Sequence, residues 1–182
     1  MSSIQLRPGD HQDLQQLLEL EQQAFASDRI SKRSWLSLLK SASAVVLIAS
    51  FGSAVAGSAV VLLRKRSSIA RLYSIAVKGG YRGMGVGRAL AVDSLRVAEQ
   101  LGCKQIRLES RIDNLRAHEL FHSLGFQSFG RPVDNYYADG KAAIRFCRSL
   151  PRCTAEAGHA VTGVHSSRGR RDQDDEPFTE AV

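Results

Sequence analysis

The chain has 182 residues, 43% of them hydrophobic and 24% charged, with a formal net charge of +7. That composition lies near the globular average and allows a sizeable core, while no apolar run approaches the roughly 20 residues of a membrane-spanning helix. Residues 151–182 hold four arginines against six acidic residues, which leaves +9 on residues 1–150. A domain so basic favours an anionic partner such as a phosphate-bearing cofactor, nucleic acid or a ribonucleoprotein surface, although charge of this kind also serves plain solubility. The start, M-S-S-I-Q-L-R-P, has no basic stretch followed by an apolar one, so no secretory signal is expected. Cys103, Cys147 and Cys153 are odd in number and lack C-x-x-C spacing. Cys103 and Cys147 are therefore expected as small buried hydrophobes, and the cytoplasm is the expected compartment.

In chain order, residues 3–7 read as a strand ended by Pro8-Gly9. Asp10 is a candidate N-cap for a helix to about residue 25, with Leu14, Leu17, Leu18 and Leu20 at helical spacing. Ser31 can cap a second helix carrying Trp35, Leu36, Leu38 and Leu39. The apolar runs 44–50 and 55–63 flank Phe51-Gly52-Ser53 and predict an antiparallel hairpin, followed by the basic cluster Arg64-Lys65-Arg66. Residues 69–77 form a strand, 78–84 a glycine-rich loop, and 85–101 a helix with Leu90, Ala91, Leu95, Ala98 and Leu101 on one face. A strand over 105–111, a helix over 114–124, a short strand over 126–129 and a last strand over 142–148 complete the domain. The order β-α-α-β-β-β-α-β-α-β-β predicts a mixed α/β fold around a central sheet over residues 1–150. Residues 151–182, poor in apolar residues, are expected to be a disordered polar tail.

The stretch Y-R-G-M-G-V-G-R-A-L, residues 81–90, lies between a predicted strand and a predicted helix. Glycines at 83, 85 and 87 let the backbone approach a ligand, and the helix start offers N–H groups and a positive dipole end to an anion. Arg82 and Arg88 add charged donors. A dinucleotide fingerprint beginning at Gly83 needs glycine at 88, where Arg88 stands, and the lysine of a P-loop is absent. The pattern points to a phosphate site of another kind, against the plainer reading of a tight turn.

This loop fits the pattern [QR]-x-x-G-x-[GA], and the chain resembles the GCN5-related N-acetyltransferase (GNAT) superfamily over about residues 3–150. It looks most like the RimI-like ribosomal-protein-alanine N-acetyltransferases. The matching pieces, in order, are S-I-A-V (74–77), the glycine loop, L-E-S-R-x-x-N (108–114), F-H-S-L-G-F (121–126) and N-Y-Y-A-D-G-K-A-A-I (135–144). The resemblance implies the GNAT fold and acetyl-CoA as cosubstrate. In it, the strand at Ile75, Ala76 and Val77 pairs with the pantetheine arm. The loop Arg82, Gly83, Met84, Gly85, Val86, Gly87 and Arg88 holds the pyrophosphate, and Asn114 contacts the cofactor. It implies a primary-amine acceptor, a protein or peptide N-terminus first, with Tyr136 and Tyr137 lining its pocket. The segment 25–35 departs from the RimI-like pattern and is where acceptor choice would change. A small-molecule amine, or an acyl-CoA-binding module without turnover, is the alternative; no DNA or membrane partner is expected.

Acetyl transfer to an amine needs a base to take a proton from the ammonium group and donors for the thioester oxygen. Glu109 matches the family's base position. Alternation places Arg107, Glu109 and Arg111 on one face of their strand and Leu108 and Ser110 on the other; the bland reading is a glutamate paired with those arginines. The family's usual acid is a tyrosine where this chain has Phe121, which leaves Tyr73, Tyr136, Tyr137 or water for that role. His118-Glu119-Leu120-Phe121-His122 has the form H-E-x-x-H of a zinc hydrolase. Ser128 stands where the longer metallopeptidase motif has its third histidine, and Ala117, Leu120, Phe121 and Leu124 form a helix-packing stripe. No metal is expected at His118 and His122.

Overall fold

The computed structural model describes residues 3–151 and the backbone of 179–181. Asp10 opens the first helical segment through a capping box: its Oδ1 accepts from Gln12 N at 2.7 Å, and Asp13 Oδ2 accepts from Asp10 N at 2.9 Å. Arg7 locks that box with a bidentate pair to Asp13. After one 3-10 turn, helix α1 (Leu14–Ala24) buries Leu17 and Leu20, and α2 (Lys32–Lys40), capped by Ser31, buries Trp35. Both lie on one face of the sheet, where they close a core with Val46, Ile48, Val60, Tyr73 and Ala76. On the other face α3 (Val86–Gln100) and α4 (Leu115–Ser123) pack Leu90, Ala98 and Phe121 against Leu72, Ile75, Ile106 and Leu108.

Between these layers runs a mixed sheet in the order β1-β2-β3-β4-β5-β7-β6. Its strands are β1 (Gln5–Pro8), β2 (Ala44–Phe51), β3 (Ala54–Leu63), β4 (Ile69–Val77), β5 (Gln105–Arg111), β6 (Gln127–Ser128) and β7 (Ala143–Ser149). The first four pair antiparallel, β2 with β3 as the hairpin pattern predicts. β4 and β5, joined through α3, pair in parallel. The expected element order is therefore observed, with boundaries shifted by a residue or two.

Two features of β4 shape the site. Val60 faces Ser74 but Val61 faces Leu72, so Tyr73 is an extra residue, a bulge that bends the strand. β4 then pairs with β5 only from Ile69 to Arg71, and beyond Arg71 the two strands part. An eighth strand, β8 (Thr179–Ala181), lies parallel to β4 along Ser74–Ala76, on the stretch that β5 has left.

Three expectations need correction. Leu101 is 53% exposed, because the helix ends at Gln100 and Gly102 turns the chain away. Cys147 is half-buried rather than buried, since it faces outward near the thin β6 edge; Cys103 is buried as expected. The predicted tail lies outside the described residues except Thr179–Ala181, which form a strand. No helix among the described residues is long and apolar enough to cross a membrane.

Candidate active site

The glycine loop and the β4–β5 gap meet at the C-terminal end of β4. Gly83 and Gly85 take φ of +79° and +83°, the left-handed region that side chains disfavour. These turns bring the chain round into α3, whose first intrahelical bond is Ala89 N to Gly85 O at 2.9 Å. The N–H groups before it have no acceptor within the helix and lie at its positive end. A cavity of about 180 Å³ opens there, lined by Val77, Tyr81, Arg82, Gly83, Gly85, Val86, Gly87, Arg88 and Leu120. Most of the sequence-predicted cofactor residues are thus gathered in one place. Arg88 is braced by Ser123 Oγ at 2.9 Å, and Tyr81 stacks on Phe51 with ring centroids 5.3 Å apart. Met84 is 53% exposed and stands outside the cavity. Asn114 is set apart as well, its Oδ1 capping α4 through Ala117 N at 3.3 Å. Ile75 and Ala76 lead into the loop along the β4 stretch that now carries β8.

Across the gap, Glu109 sits two residues beyond Arg107, the last β5 residue paired with β4. Alternation along β5 is as expected: Ile106, Leu108 and Ser110 are buried towards α3 and α4, and Arg107, Glu109 and Arg111 face the other way. The partner of Glu109 is not a neighbouring arginine but Arg71 on β4, whose Nε donates to Glu109 Oε2 at 2.9 Å. Arg71 Nη2 also donates to Tyr136 Oη at 2.7 Å. Tyr136 packs edge-on against the buried Tyr137, centroids 5.1 Å apart. The predicted base and one predicted acceptor tyrosine are therefore joined through a residue that the sequence reading did not select. A signal existed: Arg71 is the one charged side chain in the run 69–77, and a charge in a central strand needs a partner.

Beside Tyr137 a cavity of about 300 Å³ is lined by Phe25, Ser27, Asp28, Arg111, Tyr137 and Asp139 among others. It joins the segment after α1, where acceptor choice was expected to reside, to the β6–β7 connection. Asp28, at φ 55°, ties the two by accepting from Ala138 N at 3.1 Å. Arg111 stacks over Tyr137 and pairs with Asp139 and Asp113.

The H-E-x-x-H pair is used otherwise. His118 Nε2 lies 2.9 Å from Arg111 O and His122 Nδ1 lies 3.2 Å from Phe126 O, and both rings pack against Phe146. Burial lowers the His118 pKa, and since a carbonyl oxygen can only accept, Nε2 donates to Arg111 O. Phe121 is fully buried against Phe126 and Phe146 and brings no hydroxyl to the site.

Residues 12–126 match the model of the acetyltransferase (GNAT) family. N-alpha-acetyltransferase 30 of Schizosaccharomyces pombe is 35% identical over 72 residues, 40% of this chain and 47% of that protein. An N-alpha-acetyltransferase of Sulfurisphaera tokodaii is 37% identical over 78 residues, 42% of this chain and 46% of that protein. The chain thus spans about half the length of these relatives. The ribosomal-protein-S18-alanine N-acetyltransferase of Escherichia coli superposes with a TM-score of 0.75 at 25% identity, covering 86% of this chain and all of that one. With its split β4–β5 pair, its glycine loop and this match over more than half its length, the chain belongs to the acetyltransferase (GNAT) family.

Proposed function

We propose that the protein transfers the acetyl group of acetyl-CoA to the N-terminal amine of a polypeptide, in the cytoplasm. The observation that carries this reading is the position of Glu109, held by Arg71 where β4 and β5 part. The names of the relatives, N-alpha-acetyltransferases and a ribosomal-protein-alanine N-acetyltransferase, support the acceptor class. Acetyl-CoA would supply the activated thioester. Its phosphates match the donor set of Arg82, Gly83, Gly85, Gly87, Arg88 and the α3 start. Its extended arm matches the β4 edge at Ile75–Val77, which β5 has left and where β8 pairs along Ser74–Ala76.

An α-amine has a pKa of about 7.7–8.0, so at neutral pH most of it is ammonium and must lose a proton before it attacks. Glu109 is the carboxylate placed to take that proton, directly or through water. Arg71 fixes the Glu109 rotamer and the Tyr136 hydroxyl together. Tyr136 and Tyr137, with the cavity by Asp28 and Asp139, would receive the acceptor's first residues. Phe121 cannot protonate the leaving thiolate, so that proton comes from water or another hydroxyl. Because β8 occupies the backbone of Ser74–Ala76, a pantetheine arm and β8 compete for one edge.

Incubation with acetyl-CoA, a panel of peptides with free N-termini and a panel of small primary amines, followed by mass spectrometry, tests the reading. Acetylation of peptide α-amines is expected. Turnover confined to small amines would overturn the acceptor class, and coenzyme A binding with no acetylated product would overturn the activity.

A further inference from the structure

Arg107 on β5 and Arg145 on β7 share one aromatic ring. Their guanidinium carbons lie 5.4 and 5.1 Å from the centroid of Phe129. Each contact is attractive in itself, but the two like charges repel one another, and an anion between them would relieve that repulsion. Among the described residues neither has a carboxylate within salt-bridge reach. Arg107 Nε donates to the neutral Gln105 Oε1 at 2.6 Å, and Arg145 Nη2 has only Arg131 O at 3.4 Å. Arg145 Nε is buried with no acceptor. The Arg145 guanidinium lies over Gly130, a glycine at φ +68°.

The other arginines on this face of β4 and β5 are matched, Arg71 by Glu109 and Arg111 by Asp139 and Asp113. Surplus positive charge is thus localised on the Arg107–Arg145 pair. That pair borders the proposed base. Arg145 is the cross-strand register partner of Glu109. Arg107 precedes Glu109 by two residues on the same face, a spacing of roughly 7 Å along a strand.

We infer that Arg107 and Arg145 form an anion-binding subsite that receives a carboxylate side chain of the acceptor polypeptide, close to its reacting amine, and so select acidic N-terminal sequences. This rests on the acetyltransferase reading of Glu109. Charge complementarity favours a side-chain carboxylate, which meets guanidinium groups in a planar, paired geometry. A nucleic-acid backbone would bring a run of phosphates past Glu109 and Asp139 as well.

The test uses the full chain and two heptapeptides with free N-terminal alanine, one with Glu at positions two and three, the other with Gln there. The wild type is expected to prefer the Glu peptide by about tenfold in kcat/KM, mainly through KM, with the preference shrinking as salt is raised. In R107Q/R145Q the preference ratio falls to about one. In R107E/R145E it inverts in favour of the Gln peptide. A wild-type ratio near one, or a ratio that these substitutions leave unchanged, overturns the subsite. Those results leave the acetyltransferase reading standing. Failure of the wild type to bind coenzyme A or acetylate either peptide overturns that reading instead.

Discussion

The two banks of the β4–β5 gap are built from different chemistry. On the glycine-loop bank, the groups on offer are backbone: positive-φ glycines, the N–H groups at the α3 start and the edge of β4 beyond its pairing with β5. On the β5 bank it is made of side chains, Glu109, Arg71, Tyr136 and Tyr137, held to each other across three elements. A backbone site tolerates most side-chain changes but not a change of φ, whereas a side-chain network fails at single residues. Substitutions on the two banks should therefore separate binding from chemistry.

Glu109→Gln carries the largest expected effect. It should lower kcat by about 10²-fold, within the range for a general base, while coenzyme A affinity measured by calorimetry stays near wild type. Gly85→Val acts on the opposite bank. A β-branched residue at φ +83° costs about 1–3 kcal/mol, so coenzyme A affinity should fall roughly 5- to 150-fold. Arg71→Met removes the partner of Glu109 and the tether of Tyr136, and should lower kcat/KM about fivefold with a change in its pH profile. If Arg71→Met instead weakens coenzyme A binding alone, the division between the banks is wrong. Replacing Thr179, Glu180 and Ala181 together by proline abolishes β8 pairing and should tighten coenzyme A binding by about two- to fivefold; unchanged affinity would mean that β8 and the cofactor do not share an edge.

A further effect concerns stability, away from both banks. Glu21 is buried, accepts from Ile30 N at 2.9 Å, and burial pushes its pKa up to about 7. The folded protein therefore holds a proton that the unfolded chain releases near pH 4.5. The Glu21 contribution is full below that pH and is lost as pH rises towards 7. Glu21→Gln should stabilise the protein at pH 8, on the order of 1–3 kcal/mol, and change little at pH 4.5. Thermal melts at the two pH values check the sign.

The same division explains what the sequence could tell. Element order was legible because apolar periodicity is local: β4 and β5 have the predicted bounds, and Asp10 and Ser31 cap their helical segments. The glycine loop was legible for the same reason, since strand, glycines and helix start are consecutive. The Arg71–Glu109–Tyr136 network was not, because its members are 38 and 65 residues from Arg71 and meet only through sheet order. β8 was missed because three residues carry no usable period, and their pairing depends on an edge that exists only once the Tyr73 bulge has parted β4 from β5. Leu101 was misplaced because it falls at a helix end, where the stripe no longer dictates burial.

Hydrogen exchange of the full chain with and without coenzyme A tests most directly whether the backbone bank is the cofactor's. Coenzyme A should protect amides within Gly83–Arg88 and along Ile75–Val77, expose those of Thr179–Ala181, and leave β5 from Gln105 to Arg111 unchanged. Protection centred on β5, or none at the glycine loop despite saturating coenzyme A, would contradict the account.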